Sequence, residues 1–314
     1  MTPRDAIDFS STRVLDGAMA TELERRGYDI SGLLWSGHVL DQAPPAIGAV
    51  HLDYLRAGAD CIATASYQVS AAGYGALGRP ASDAARALRQ SVEIAEQARA
   101  AYASENPRRI RIAASLGPYG AVLHNGAEYH GRYAIGFDDL VAFHAERFAV
   151  LAETNADLLA METIPSLEEA EAILRALEQV PPLGAWISFT CRDGVHVAHG
   201  ERLSDCAAAM ADSPQICAVG INCTAPHHVE PLIAEARRGC QDRKPIIVYP
   251  NSGETWDAPT RTWQGTSDTA HYGTLARTWY AAGAQAVGGC CRTGPAHIAA
   301  VAAASRASAP ASSA

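Results

Sequence analysis

The chain has 314 residues, 48% of them hydrophobic, and sets 25 Lys and Arg against 34 Asp and Glu for a formal charge of −9. That length supports a sizeable core in one domain, while the acidic balance and the lack of any Lys/Arg-rich run argue against a nucleic-acid partner. No run approaches the roughly 20 apolar residues that span a bilayer, and residues 1–15 lack the apolar core of a signal peptide, so a cytoplasmic protein with no membrane partner is expected.

In chain order, apolar and β-branched runs predict strands at residues 12–15, 60–64, 110–115, 157–161, 183–189, 217–222, 245–249 and 284–288. Helical patterns fall between them, at 45–57 (stopped by Gly58), 82–103, 138–153, 166–179 and 268–282 (stopped by Gly283). In 166–179 the residues Leu167, Ala170, Ile173, Leu174 and Leu177 share one face, and Ser166 with Glu169 reads as a capping box. Parallel strands need crossover helices, and eight such units can close a sheet. The expected fold is therefore a single-domain (β/α)8 TIM barrel over residues 1–304, with a doubly wound open sheet as the alternative. Residues 305–314, rich in Ala, Ser and Pro, read as a disordered tail. The long loops 117–136 and 250–267 would lie at the catalytic face of a barrel.

Eight cysteines in a chain this long are too sparse for a disulfide scaffold. Three of them stand at strand ends: Cys223 in GINCTAP, after the sixth predicted strand, and Cys290 and Cys291 in GGCCRTGP, after the eighth. In a barrel these ends share one rim, and Gly288 and Gly289 would relax the φ/ψ limits enough for adjacent thiols to face one point. Thiolates are soft ligands that favour Zn2+, and a set of three leaves the fourth tetrahedral position to a substrate, whereas structural sites use four. Cys61, Cys191, Cys206, Cys217 and Cys240 read as ordinary small core residues. A zinc hydrolase or a thiol-based redox sensor could use the same trio, although no strand-end His cluster or general base accompanies it.

The segments LDGAMATELERRG, GADCIATASYQ, SLGPYGA, METIPSLEEA, GINCTAP, YPNSGETWD and GGCCRTGPAHI, spread over nearly the whole chain, resemble the homocysteine S-methyltransferase family. The resemblance implies a (β/α)8 barrel and a zinc ion held by Cys223, Cys290 and Cys291, with no catalytic residue needed beyond the metal site. SYQ at 66–68 and the NSGE motif are similar to the branch that uses S-methylmethionine rather than betaine. S-adenosylmethionine is the other candidate donor, and the implied product is methionine. Asp16 and Glu162 are matched to the acids that bind the homocysteine ammonium, and the backbone N–H groups of Gly17 and Ala18 to those that receive its carboxylate. From the residues alone, Asp16 could equally cap a helix and Glu162 could be a solvated loop acid. Thr64, Ser66 and Asn222 are expected in the same pocket or around the metal. Tyr67, Tyr119, Tyr129 and Trp256 are candidates for an aromatic wall around a sulfonium. The partners expected are small molecules, with the chain a monomer or a weak homo-oligomer.

Overall fold

The computed structural model describes residues 7–257, 262–265 and 267–308, with the backbone alone for 255–257 and 262–264. Among them, seven parallel strands form one sheet in the order β1 (Cys61–Ala63), β2 (Arg111–Leu116), β3 (Leu158–Ile164), β4 (Ala185–Phe189), β5 (Ile216–Asn222), β6 (Ile246–Tyr249) and β9 (Ala284–Val287). The remaining pair, β7 (Thr255–Asp257) and β8 (Thr262–Gln264), is an antiparallel hairpin inside the predicted 250–267 loop.

The first predicted strand shrinks to two residues, and those two close the ring. Val14 bridges Val287 and Leu15 bridges Cys61, both in parallel register. Leu15 N donates to Val287 O at 2.9 Å on one side, and Asp16 N donates to Cys61 O at 3.1 Å on the other. With this segment counted, the fold is the expected eight-stranded barrel, and β5 and β9 are its sixth and eighth strands.

Two apolar clusters hold it together. The larger lies between the sheet and the helices, and the smaller fills the barrel with Leu15, Cys61, Ala113, Ala160, Ala218 and Ala286 around Trp186 and Tyr249. Alanines suit this position because inward-pointing side chains from all strands compete for a narrow interior, and Phe9 plugs its lower end. At Gly220 a Cβ would sit 2.1 Å from Ser188 Oγ, so glycine there makes room for the Tyr249 hydroxyl to donate to Ser188 at 2.7 Å. Aromatic side chains thus floor the upper half of the barrel.

The helix stops follow the expected chemistry, since Gly58 and Gly283 both take φ of 110°. Two expectations need correction. The last helix, Pro295–Ala307, runs three residues into the predicted tail, because Ser305 is buried and its Oγ accepts from Arg13 Nε at 3.1 Å. Residues 309–314 lie outside the described residues. The capping box at helix Leu167–Leu177 is also half-formed: Ser166 Oγ accepts from Glu169 N, but the Glu169 carboxylate turns inward. There it meets Tyr119 N at 2.6 Å, the Tyr133 hydroxyl, and His144 Nε2 at 3.1 Å. Burial pushes its carboxyl up to about 8. Together with Arg147, which donates to Gly117 O at 3.0 Å, this cluster ties both ends of the 117–136 loop to the body of the barrel.

Candidate metal centre and substrate cavity

The strand-end thiols converge. The Sγ atoms of Cys223, Cys290 and Cys291 all lie within 4.8 Å of one another, with 3.6 Å between Cys223 and Cys291. Ligands about 2.3 Å from a tetrahedral zinc would stand about 3.8 Å apart, so the spacing fits such an ion. Among the described residues no fourth Cys, His, Asp or Glu completes the group. Hydrogen bonds from the other two thiols hold Cys223 well below the ordinary thiol range, and those same bonds to Cys223, then burial and its charge, push Cys290 and Cys291 up. Three thiols this close cannot all ionise without a cation between them.

The backbone explains how adjacent residues aim at one point, though not in the way the sequence suggests. Neither Gly288 nor Gly289 has positive φ; that conformation falls to Cys223 at 48° and Arg292 at 66°. What the two glycines supply is space. A Cβ at Gly288 would lie 2.6 Å from Leu15 Cβ, and one at Gly289 would lie 2.4 Å from Thr293 Oγ1. Thr293 in turn donates its hydroxyl to Cys290 O at 2.7 Å, while Thr190 donates to Cys223 O at 3.2 Å.

Below the thiols is a cavity of about 270 Å³, and an outer cleft of about 990 Å³ shares its walls at Trp35, Tyr129, Cys223 and Cys291. Asp16, Gly17, Ala18, Thr64, Glu162 and Asn222 all line the inner cavity. Asp16 caps no helix: its Oδ2 accepts from Ala63 N at 2.8 Å, and burial raises its carboxyl well above the usual range. Glu162 accepts the Ser115 hydroxyl, and burial pushes its carboxyl up to about 7. Two buried acids in one pocket, each disfavoured as an anion by burial, form a receptor for a cation.

Three sequence expectations shift, and a fourth is not tested. Ala18 N is engaged within the fold, donating to Thr293 O at 3.3 Å. Ser66 is fully buried and does not line the cavity; its Oγ sits 2.6 Å from Thr64 Oγ1 and donates to Ser115 O, so it props Thr64 from behind. Tyr119 packs edge-on against Tyr133 and Phe143, away from the thiols. The side chain of Trp256 lies outside the described residues. Tyr67 and Tyr129 do line the cavity, the Tyr129 hydroxyl 3.5 Å from Cys223 Sγ.

Asn222 has a specific task. Its Oδ1 accepts from Thr163 N at 2.8 Å and its Nδ2 donates to Thr163 Oγ1 at 2.9 Å. Thr163 has φ of 61°, a conformation unfavourable for a β-branched residue, and the β3–β4 register shifts between Met161 and Ile164. Asn222 therefore holds the bulge that turns Glu162 into the pocket. Sequence reading also missed Trp35, Gln68 and Glu128 as cavity walls; the length of the 117–136 loop was the available signal for Glu128.

A family model described as homocysteine S-methyltransferase matches residues 13–305. Homocysteine S-methyltransferase YbgG of Bacillus subtilis is 49% identical over 92% of this chain and 93% of its own length. The Escherichia coli homocysteine S-methyltransferase is 44% identical over 95% and 96%. The crystal structure of the homocysteine methyltransferase MmuM from Escherichia coli, metallated form, superposes with a TM-score of 0.81 at 42% identity, covering 93% of this chain and 96% of that one. With three thiols and two acids gathered around one barrel cavity, and this likeness along almost the whole sequence, the chain belongs to the homocysteine S-methyltransferase family.

Proposed function

We propose that this protein transfers a methyl group from a sulfonium donor, S-methylmethionine or S-adenosylmethionine, to the thiol of L-homocysteine, forming methionine. The observation that carries the reading is the open set of three thiols above a cavity that holds two buried acids. A zinc ion fits Cys223, Cys290 and Cys291, because three soft donors at this spacing match its chemistry. When bound, it lowers the pKa of a coordinated thiol so that a thiolate exists at neutral pH.

The remaining work belongs to the chain. Asp16 and Glu162 bind the amino-acid ammonium, and the Gly17 amide with the amides at the start of helix Met19–Arg25 faces the carboxylate. Ala18 contributes through its position at the wall. Thr64, braced by Ser66, and Asn222, through Glu162, fix the floor and the acid. Transfer is an in-line displacement: the acceptor sulfur's electron pair forms the new S–CH3 bond, and the pair of the donor's CH3–S+ bond returns to the donor sulfur. Opposite charges are annihilated along this path, so a site that excludes bulk water favours it. The leaving thioether is neutral, and no general acid is required.

We further read the chain as one domain and a cytoplasmic monomer or weak homo-oligomer; no helix among the described residues is long and apolar enough to cross a membrane. The test is a donor panel (S-methylmethionine, S-adenosylmethionine, betaine) assayed for methionine in the presence and absence of zinc. Methionine formed from the sulfonium donors alone, and only with metal, is the expected result. Thiol loss driven by oxidant without methionine would favour a redox sensor instead.

A further inference from the structure

Two buried oxygens in the cavity wall have no hydrogen-bond partner: Glu128 Oε2 and Gln68 Oε1. Gln68 is 7% exposed, and its Nε2 donates to Ala121 O at 2.9 Å. A carbonyl can only accept, so the amide's orientation is settled, and its oxygen is the end left free at the cavity. Glu128 stands in the short 3-10 turn Ala127–Tyr129, beside the tyrosine that touches Cys223. That turn is packed against Gly120, where a Cβ would come within 2.6 Å of Glu128 N. The loop that carries Glu128 and accepts from Gln68 is the one fastened to the barrel by Glu169 and Arg147.

A buried carboxylate oxygen and a buried amide oxygen without partners are costly unless something positive meets them. No Lys or Arg lines the cavity. Asp16 and Glu162 already answer the single ammonium of homocysteine, an amino acid of no net charge. The donor is different: a sulfonium amino acid carries two positive groups against one carboxylate, a net charge of +1. Glu128 is the third carboxylate of the cavity and the one without a task.

We propose that Glu128 and Gln68 form the seat of the methyl donor's positive charge, with the Glu128 carboxylate facing the sulfonium end and Gln68 Oε1 accepting its polarised C–H or N–H groups. This rests on the methyl-transfer reading above. Burial first, and then the nearby Cys223 charge, raise the Glu128 carboxyl to about 7, and a cation in the seat draws it back down. The charge it binds disappears when the methyl leaves, because the donor becomes a neutral thioether. The seat therefore favours the loaded donor over the spent one and lets product go. It also stabilises the ground state at least as much as the transition state, so its signature is in donor KM rather than kcat.

The experiment compares the full-length zinc-loaded protein with its Glu128→Gln and Glu128→Asp variants. Binding of S-methyl-L-methionine and of neutral L-methionine is measured by calorimetry, alongside steady-state kinetics in each substrate. Glu128→Gln should weaken S-methylmethionine binding about tenfold or more, the scale of a lost charge-assisted contact. Methionine binding and homocysteine KM should stay within about twofold, kcat within about threefold, and Glu128→Asp should recover part of the preference for the cation. Equal losses for both ligands, or no loss for either, would overturn the proposal, as would a parent protein that shows no preference for the sulfonium. A parent that binds the sulfonium selectively through Glu128 but makes no methionine would leave the seat standing and refute the methyl-transfer reading instead.

Discussion

Replacing Asn222 with alanine tests the claim that one amide shapes the pocket from two strands away. The substitution removes two buried hydrogen bonds, at 2.8 and 2.9 Å, each contributing about 1 kcal/mol. It also leaves the Thr163 N–H without its acceptor inside the barrel, which costs about 1–3 kcal/mol more. Part of this returns if Thr163 relaxes from its φ of 61°, since a left-handed L-residue stores about 1–2 kcal/mol. The net expectation is a loss of about 2–4 kcal/mol in urea denaturation. Because the relaxation carries Glu162 with it, homocysteine KM should rise while the affinity for donor changes little. A cycle with Thr163→Gly isolates the cause: glycine holds the left-handed conformation without strain, so Glu162 keeps its place and Asn222→Ala should raise homocysteine KM less in that background than in the parent. If Asn222→Ala lies within about 0.5 kcal/mol of the parent, or raises homocysteine KM equally in both backgrounds, Asn222 does not hold the bulge.

Cys290→Ser should abolish metal binding, measured as zinc per chain after dialysis, and reduce methionine formation by at least about 100-fold. Gly289→Ala drives a Cβ to 2.4 Å from Thr293 Oγ1; it should cost about 2–3 kcal/mol of stability and lower metal content as Cys290 is displaced, both read on the same purified sample. For Glu162, burial raises the folded carboxyl to about 7 from 4.5. Between those values the folded state holds the proton more tightly than the unfolded state, so the stabilisation is complete below about 4.5 and is lost as pH rises through about 7. Glu162→Gln cannot ionise, and its stability relative to the parent, followed by denaturation across pH 5 to 9, should climb through that window. A flat difference would mean the carboxyl is not buried as described.

The elements were legible because they follow composition and period: the apolar runs at 157–161 and 217–222 became β3 and β5 nearly in place, and Gly58 and Gly283 ended their helices. The metal trio was legible because strand ends of one barrel face one rim, so two short motifs separated by many residues had to meet. Other features leave no linear trace. Nothing around Thr163 announces a left-handed residue, since the strain is sustained by an amide on another strand. Glu169 fits the capping signal, and only the packing of helix Phe137–Ala152 and the 117–136 loop draws its carboxylate inward. Ser66 looks like a pocket residue by position, but the turn that follows β1 folds it behind Thr64.

The two-residue closure at Val14 and Leu15 has a consequence for assembly. Asp16 directly follows it, and Asp16 O accepts from Gly289 N at 3.0 Å, so an acid near the start of the chain and thiols near its end are stitched across a single seam. These contacts are among the most distant in sequence that the protein makes, and they form last if synthesis and folding run from the N-terminus. A nascent or C-terminally nicked chain would thus possess most of a barrel yet neither a closed ring nor a competent metal centre. Docking of β9 against the Val14–Leu15 segment is therefore the step that brings the acid and the thiols together.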